Sequence, residues 1–181
     1  ARFDDLLLFA KKHNLKIASI EDLISYRLKN EKFIFNTSNK SIKIKKVGLL
    51  KLSIFKNKLD GLEHYSLSKG IPDKKKSVRV RVISIKILKG IEKISDHLFF
   101  KSIKYLSKYN NFILIVINNQ ISKKNKEDSI KSTNILRYYG IGAKIIKDLK
   151  IKNMILVSRT KKKIIGLDGY GIKITKQEII K

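Results

Sequence analysis

Residues 92–97 carry the side chains best suited to bind a metal ion. Glu92, Asp96 and His97 offer two carboxylates and an imidazole close together in the chain. Such side chains could in principle bind a metal. The same stretch also has the Ser/Asp pattern that opens a helix, and solvated residues at a helix start are the favoured interpretation. The chain has no cysteine, so thiolate metal sites and disulfides are excluded.

A second candidate site is the basic cluster formed by Arg159, Lys161, Lys162 and Lys163. The cluster stands at the predicted start of a short helix, where free backbone N–H groups favour anions. It is therefore a candidate anion site. His13 and His64 stand far from both candidates and are predicted to be surface or structural histidines.

The whole chain is strongly basic, with 42 Lys and Arg against 15 Asp and Glu, a formal net charge of +27. Such a field attracts any polyanion, GTP and nucleic acid included. The lysines are spread along the sequence, which favours non-specific, salt-sensitive binding. No zinc-finger or RNP signature is present, so specific nucleic-acid binding is not expected. A charge-driven nucleic-acid-binding module remains an alternative.

The N-terminal residues 1–29 predict two helices. Ser19 and Asp22 resemble a capping box that opens the second one. Apolar residues recur at helical spacing in the first, at Phe3, Leu6, Leu7 and Ala10. The segment lacks the pattern of a secretory signal, and no apolar run is long enough to span a bilayer. We expect a cytoplasmic protein without a membrane segment.

Alternating apolar and polar residues predict β-strands at 32–37 and 42–55. Asp60-Gly61 is a turn signal, and it predicts a hairpin between 49–55 and 62–68.

The second half alternates strands with helices, which predicts an α/β unit. In the strand at 77–88 the valines are predicted to point inward, and Arg79 and Arg81 outward. The helix after the loop is predicted to be interrupted near Gly140 and Gly142. The further predictions are a helix at 95–109, a buried strand at 111–118, a loop at 122–129, a helix at 132–149, a buried strand at 153–159, a short helix from 161 and a last strand at 172–179.

Residues 138–174, beginning YYGIGAKII, resemble the C-terminal part of GTP cyclohydrolase II. The segments DGLEHYSLSKG (60–70) and SVRVRV (77–82) extend the resemblance towards the N-terminus. The resemblance implies an α/β (α+β) fold with a mixed sheet flanked by helices. It also implies a domain at 31–181 that follows a short helical segment.

The family's zinc and its cysteines are missing from this chain. The resemblance places Ser84 where the family has its first zinc-binding cysteine, and residues 89–97 where it has a Cys-x-Cys pair. Because serine is a poor zinc ligand, no cofactor is expected. The glycine-rich phosphate loop is also replaced, by ISKKNKEDSIKS, which has no glycine.

Three residues match positions that contact substrate in the family. Arg137 falls on an arginine that acts at the α-phosphate, although its partner carboxylate is replaced by Ile135. Ser158 and Lys163 fall on phosphate-contacting residues in a segment that reads SRTKKK here. The resemblance therefore implies Arg137 as a catalytic candidate and Ser158 and Lys163 as phosphate contacts.

Residues 1–29 resemble the end of 3,4-dihydroxy-2-butanone 4-phosphate synthase, which precedes the cyclohydrolase domain in two-domain riboflavin proteins. We therefore expect residues 1–30 to be the tail and linker of a fused synthase. Expected partners are that upstream synthase and a second copy in a homodimer, with weak binding of GTP or another polyanion.

The favoured interpretation is a degenerate, non-catalytic GTP cyclohydrolase II-like domain that stabilises or oligomerises its synthase. The alternative within the family is an active or repurposed enzyme that hydrolyses GTP to a diaminopyrimidine phosphate, formate and pyrophosphate.

Overall fold

The computed structural model describes two compact units, Ala1–Glu31 and Lys32–Lys181. The residues described are 3–18, 26, 30–70, 76–88, 90–120, 131–161, 167 and 171–180, with only the backbone described at 131–139. Most of the second predicted helix, the loop at 122–129 and most of the short helix from 161 lie outside these ranges. Within the described residues, no helix is both long and apolar enough to cross a bilayer.

Helix α1 (Phe3–Lys12) is the element described in the smaller unit. Acidic residues fill its first turn and lysines its last, so both ends complement the helix dipole. The chain turns at Asn14, whose φ is 51°, and the Leu15 N–H donates to the Ala10 carbonyl at 2.8 Å. Several large apolar side chains of the helix are exposed, namely Phe3, Leu6, Leu7, Leu8 and Phe9.

The larger unit is built on a seven-stranded mixed sheet with the order β1-β2-β3-β5-β4-β6-β7. The strands are β1 (Ile34–Ile44), β2 (Gly48–Asn57), β3 (Glu63–Lys69), β4 (Val78–Ile85), β5 (Phe112–Asn118), β6 (Asn153–Ser158) and β7 (Lys173–Ile179). Strands β1, β2, β3 and β5 pair antiparallel. Strands β5, β4, β6 and β7 pair parallel. This arrangement confirms the predicted α/β class with a mixed sheet.

The first two strands differ from the prediction. Strand β1 continues to Ile44, and the apolar run predicted as one strand at 42–55 is divided by a tight turn. Lys46 and Gly48 have φ of 66° and 98°, which reverses the chain there. Apolar and polar residues alternate on both sides of this turn, so the alternation alone did not indicate where the first strand ends. The hairpin predicted at Asp60-Gly61 is confirmed by the antiparallel pairing of β2 and β3.

Two helices cover opposite faces of this sheet. Helix α2 (His97–Leu106) packs on one face through Phe99, Ile103 and Leu106. Helix α3 (Lys131–Asp148) packs on the other, where a Cβ at Gly142 would lie 3.5 Å from Val82 Cγ1 and 3.8 Å from Ile117 Cδ1. The predicted interruption of this helix is wrong, because the helix runs unbroken from Lys131 to Asp148 through both glycines. Strand β5 lies under both layers and is buried throughout, as predicted.

The arginines of β4 do not point into solvent as predicted. Arg81 is only 3% exposed, and Arg79 is half-buried, because α2 covers their face of the strand. Arg79 donates two hydrogen bonds of 3.0 Å to the Glu178 carboxylate and stacks on the Tyr109 ring, 3.7 Å from its centroid. This bidentate ion pair raises the pKa of Arg79. Burial on both faces is typical of a central strand, and an alternating pattern did not reveal it.

Gly70 is required where β3 ends, and substituting it tests this packing. Its φ is 75°, and a Cβ there would lie 2.6 Å from the carbonyl oxygen of Asn110. We expect Gly70→Ala to lower the free energy of unfolding by about 3 kcal/mol or more, since left-handed strain and a backbone clash add together.

The matched control is Gly61→Ala. Gly61 has almost the same φ, 72°, but no atom within 4 Å of the added Cβ. The Gly61→Ala substitution should lower the free energy of unfolding by only about 1–2 kcal/mol, which is the cost of the left-handed strain. Urea unfolding of both variants measures the difference, and equal losses would show that the Asn110 contact is unimportant.

Candidate functional site

Ser158, a predicted phosphate contact, lies on one face of the sheet, near its carboxyl edge. Ser84, at the position implied for the first zinc ligand, lies on the same face. Strands β4 and β6 are parallel, and Val80 pairs with Leu156, so side chains at alternate positions beyond this pair share a face. That face is the one covered by α3, because Val82 faces Gly142. The carboxyl edge of parallel strands is where α/β folds most often bind ligands.

Polar side chains with buried atoms continue across this face, and we name Ser53, Asn57, His64, Ser66 and Ser84 the polar face. Ser66 lies between Ser53 on β2 and Ile115 on β5 in the strand register. Ser84 in turn pairs with Ile117. The Oγ atoms of Ser66 and Ser84 and the Nδ2 of Asn57 are buried without a hydrogen-bond partner among the described residues. Such atoms carry a desolvation cost that packing must offset.

His64 is a structural residue, as the sequence suggested. It is fully buried, and its Nδ1 accepts the backbone N–H of Asn118 at 3.2 Å. That bond places the ring proton on Nε2 when the imidazole is neutral. Asn118 also accepts the Ile87 N–H through its side chain at 3.1 Å, which links the end of β5 to the segment after β4. His13 is exposed on the segment after α1.

The candidate metal-binding residues at 92–97 have other roles. Asp96 caps α2 and accepts the Phe99 N–H at 3.0 Å. Glu92 pairs with Lys40 of β1 at 2.6 Å, and this hydrogen bond lowers the pKa of the Glu92 carboxyl. His97 lies in the first turn of α2. Across the described part of the chain, no group of three or more His, Cys, Asp or Glu side chains could hold a metal ion.

The remaining predicted residues are only partly placed. Ser158 ends β6, and its hydroxyl donates to the Thr160 carbonyl at 2.6 Å, so it closes a local turn. Arg137 lies in α3, in the part where only the backbone is described. Lys163 and the glycine-free loop after β5 lie outside the described residues. The structure therefore brings Ser84 and Ser158 to one face, and the contacts of Arg137, Ser158 and Lys163 with phosphate stay predictions.

Sequence reasoning missed the polar face as a unit. Its members come from β2, β3 and β4, and only the register between these strands brings them together. A signal was present, because serine and asparagine occupy inward positions of otherwise apolar strands. Strand pairing could not be inferred from that signal alone.

Comparison with known proteins supports this geometry. A sequence model of the family described as GTP cyclohydrolase II matches residues 101–178. The riboflavin biosynthesis protein RibBA of Aquifex aeolicus is 29% identical over 205 residues, covering 100% of this chain and 50% of that protein. RibBA of Porphyromonas gingivalis is 31% identical, covering 96% of this chain and 48% of its own length.

A plant protein and a solved structure extend the comparison. The monofunctional riboflavin biosynthesis protein RIBA 2, chloroplastic, of Arabidopsis thaliana is 29% identical over 198 residues, covering 97% of this chain and 40% of that protein. The crystal structure of RibBX, a two-domain 3,4-dihydroxy-2-butanone 4-phosphate synthase from A. baumannii, superposes with a TM-score of 0.68 and 25% identity. The match covers 100% of this chain and 50% of that one.

The mixed sheet with its two helical layers, together with these matches, defines a GTP cyclohydrolase II-like domain. The chain matches the GTP cyclohydrolase II-like part of riboflavin biosynthesis proteins of the RibBA type. It spans about half the length of the curated relatives it matches.

The zinc implied by the family does not fit the residues present. A catalytic zinc site needs three protein ligands, usually from Cys, His, Asp or Glu, and one open position. The position implied for the first ligand holds the Ser84 hydroxyl, a neutral group buried on β4 between β5 and β6. His64 lies on the same face but uses Nδ1 as a structural acceptor.

The N-cap of α2 gives a test of the metal-binding alternative. We expect Asp96→Ala to lower the free energy of unfolding by about 1 kcal/mol, because the Phe99 N–H loses its acceptor. Asp96→Asn, which keeps an oxygen at that position, should cost only about a few tenths of a kcal/mol.

Thermal unfolding with and without zinc chloride measures both effects. A capping role predicts the same small zinc response in the parent protein and both variants. A zinc-dependent rise in Tm that disappears in Asp96→Asn would instead support a metal site at 92–97.

Proposed function

We propose that this domain is non-catalytic and that it stabilises or oligomerises a fused 3,4-dihydroxy-2-butanone 4-phosphate synthase. The observation that carries the proposal is the Ser84 hydroxyl at the position implied for a zinc ligand, in a chain without cysteine. The fold is retained around it, including the packing of α3 on β4 and β5. A domain that keeps its core and loses its metal ligands is suited to a structural role.

The A. baumannii relative also supports a role beside a fused synthase. RibBX is a two-domain 3,4-dihydroxy-2-butanone 4-phosphate synthase, and this chain covers half of it. By this proposal, the smaller unit is the tail of such a synthase. The exposed apolar residues of α1, such as Leu8 at 71%, would then pack against the synthase domain.

A second candidate function is a working or repurposed GTP cyclohydrolase II. All three substrate-contacting candidates, Arg137, Ser158 and Lys163, lie within the family match at 101–178 and favour it. An arginine in the first half of α3 can meet a phosphate without its carboxylate partner, though with less fixed orientation. This candidate requires a metal site that differs from the family's.

GTP turnover separates the two candidates. We expect no formate or pyrophosphate release above the buffer rate when the protein receives GTP, zinc and magnesium at physiological salt. The reason is that no group on the polar face can activate water as a cysteine-bound zinc does. Inorganic triphosphate should displace bound GTP at the same concentration that added GTP requires.

Enzyme-like formate release would contradict the proposal and support the second candidate. In that case Arg137→Ala and Ser158→Ala should reduce the rate, while Lys152→Ala, an exposed lysine on the loop before β6, should not.

Oligomeric state tests the structural role. We expect sedimentation equilibrium to give twice the 20.9 kDa chain mass, a homodimer, at micromolar concentration. Fusion to the synthase domain should raise the synthase Tm relative to the synthase alone, since packing of α1 would cover its apolar side chains. A monomer that leaves the synthase Tm unchanged would contradict the proposal.

A further inference from the structure

The hairpin of β1 and β2 carries lysines without neighbouring carboxylates. Residues 32–59, which contain both strands, have eight lysines and no Asp or Glu. Four exposed lysines lie around its turn, and we name them the basic tip: Lys43, Lys45, Lys46 and Lys51. Among the described residues, no carboxylate forms an ion pair with any of these four, whereas Lys40 of β1 pairs with Glu92. The basic tip is therefore a concentrated positive charge that attracts polyanions.

Strand pairing places two of these lysines on one open face. Lys43 lies opposite Leu49 in the β1–β2 register, and Lys51 is the next residue of β2 on the same side. All three side chains are exposed, and Leu49 is 66% exposed. Diagonal neighbours of this kind have Cβ atoms about 7–8 Å apart or slightly less. The two ammonium groups can therefore contact separate anionic groups of one ligand.

The backbone of the turn strains a third lysine. Lys46 has φ of 66°, in the left-handed region that Gly and Asn adopt most readily. The turn therefore combines backbone strain with the repulsion between neighbouring like charges. Neither effect stabilises the hairpin, and both favour a role for these charges in binding rather than in folding.

The basic tip lies far along the sheet from the candidate site. Lys51 pairs with Ser68 of β3, and Ser68 pairs with Ile113. Because Ile113 is the second residue of β5, the basic tip lies beside the amino edge of the parallel strands. Ser84 and Ser158 lie near the opposite, carboxyl edge. Binding at the basic tip therefore depends neither on GTP hydrolysis nor on the proposed structural role.

We propose that the basic tip binds the phosphate backbone of a nucleic acid, independently of base sequence. Interfaces with nucleic acids are polar and strongly positive, whereas the centres of protein–protein interfaces are depleted of lysine. Lysine contacts with phosphate oxygens position a protein on a strand but carry no sequence information. Ser41, which pairs with Lys51, adds an exposed hydroxyl donor on the same face.

An anionic lipid surface fits the basic tip less well. The apolar neighbours of these lysines, Ile42, Ile44 and Val47, are half-buried and pack against the core. Leu49 is thus the exposed apolar side chain of the turn region that could enter a bilayer. Peripheral membrane binding scales with buried apolar area, and one leucine supplies little of it.

The test is fluorescence anisotropy of a short labelled DNA duplex with the full chain, at salt concentrations from about 0.05 to 0.3 M. The tip variant is Lys43→Gln/Lys51→Gln. Its matched control is Lys101→Gln/Lys104→Gln, which removes the same charge from exposed lysines of α2. The tip variant should weaken binding about thirtyfold at 0.15 M salt and lower the slope of log K against log salt by about 1.8, the loss of two phosphate contacts. The control should leave both unchanged.

Lys46→Asn tests the turn itself, because Asn tolerates the left-handed conformation and carries no charge. We expect it to raise Tm while weakening DNA binding about fivefold, the loss of one phosphate contact. Equal losses in the two double variants would show that binding follows net charge alone, and would overturn the proposal. The absence of DNA binding by the parent chain at about 0.05 M salt would also overturn it. Binding to phosphatidylserine vesicles that the tip variant loses, with its DNA affinity unchanged, would assign the basic tip to a membrane instead.

Discussion

Complete burial of β5 is the constraint on which the rest of the domain depends. Its seven residues are buried, and they join two different kinds of sheet. On one side β5 pairs antiparallel with β3, and on the other it pairs parallel with β4. Both helical layers must therefore be present for this strand to be shielded from solvent. Any function of the domain has to be placed around that fixed centre.

The two faces of the sheet use polar groups in different ways. On the α2 face, Arg79, Glu178 and Tyr109 form a satisfied ion-pair network that joins β4 to β7 across β6. Tyr105 joins it at 3.4 Å from Glu178, and hydrogen bonding with Tyr109 and burial raise the pKa of Tyr105 to about 12. On the α3 face, Ser66 and Ser84 hold small hydroxyls in apolar surroundings. The first network stabilises strand order, and the second leaves small buried hydroxyls without partners among the described residues.

The sequence predicted the elements well where local pattern decides them. The continuous apolar run at 111–118 indicated a buried strand, and Asp60-Gly61 indicated a hairpin, because both signals depend on neighbours in the chain. Arg81 could not be placed that way. Its burial depends on α2 lying over β4, a contact between residues distant in the sequence.

The candidate site residues also divide into those that the sequence identified and those whose role only the fold shows. Family resemblance pointed to Ser84 and Ser158, and the structure places both on the α3 face. The carboxylates at Glu92 and Asp96 looked like ligands in sequence, and they serve as an ion-pair partner and a helix cap. The same side-chain chemistry suits both roles, so only geometry separates them.

The division of the sheet at β5 has a consequence for how the chain folds. The β1–β2–β3 meander closes through short turns and can form early, whereas the parallel strands need long crossovers before they pair. Strand β4 is made before β5 and β6, and until β6 pairs with it, β4 presents an edge of unpaired N–H and C=O groups able to recruit other chains. Nascent molecules of this domain are thus most prone to aggregate after β5 has been made and before β6 and β7 have followed.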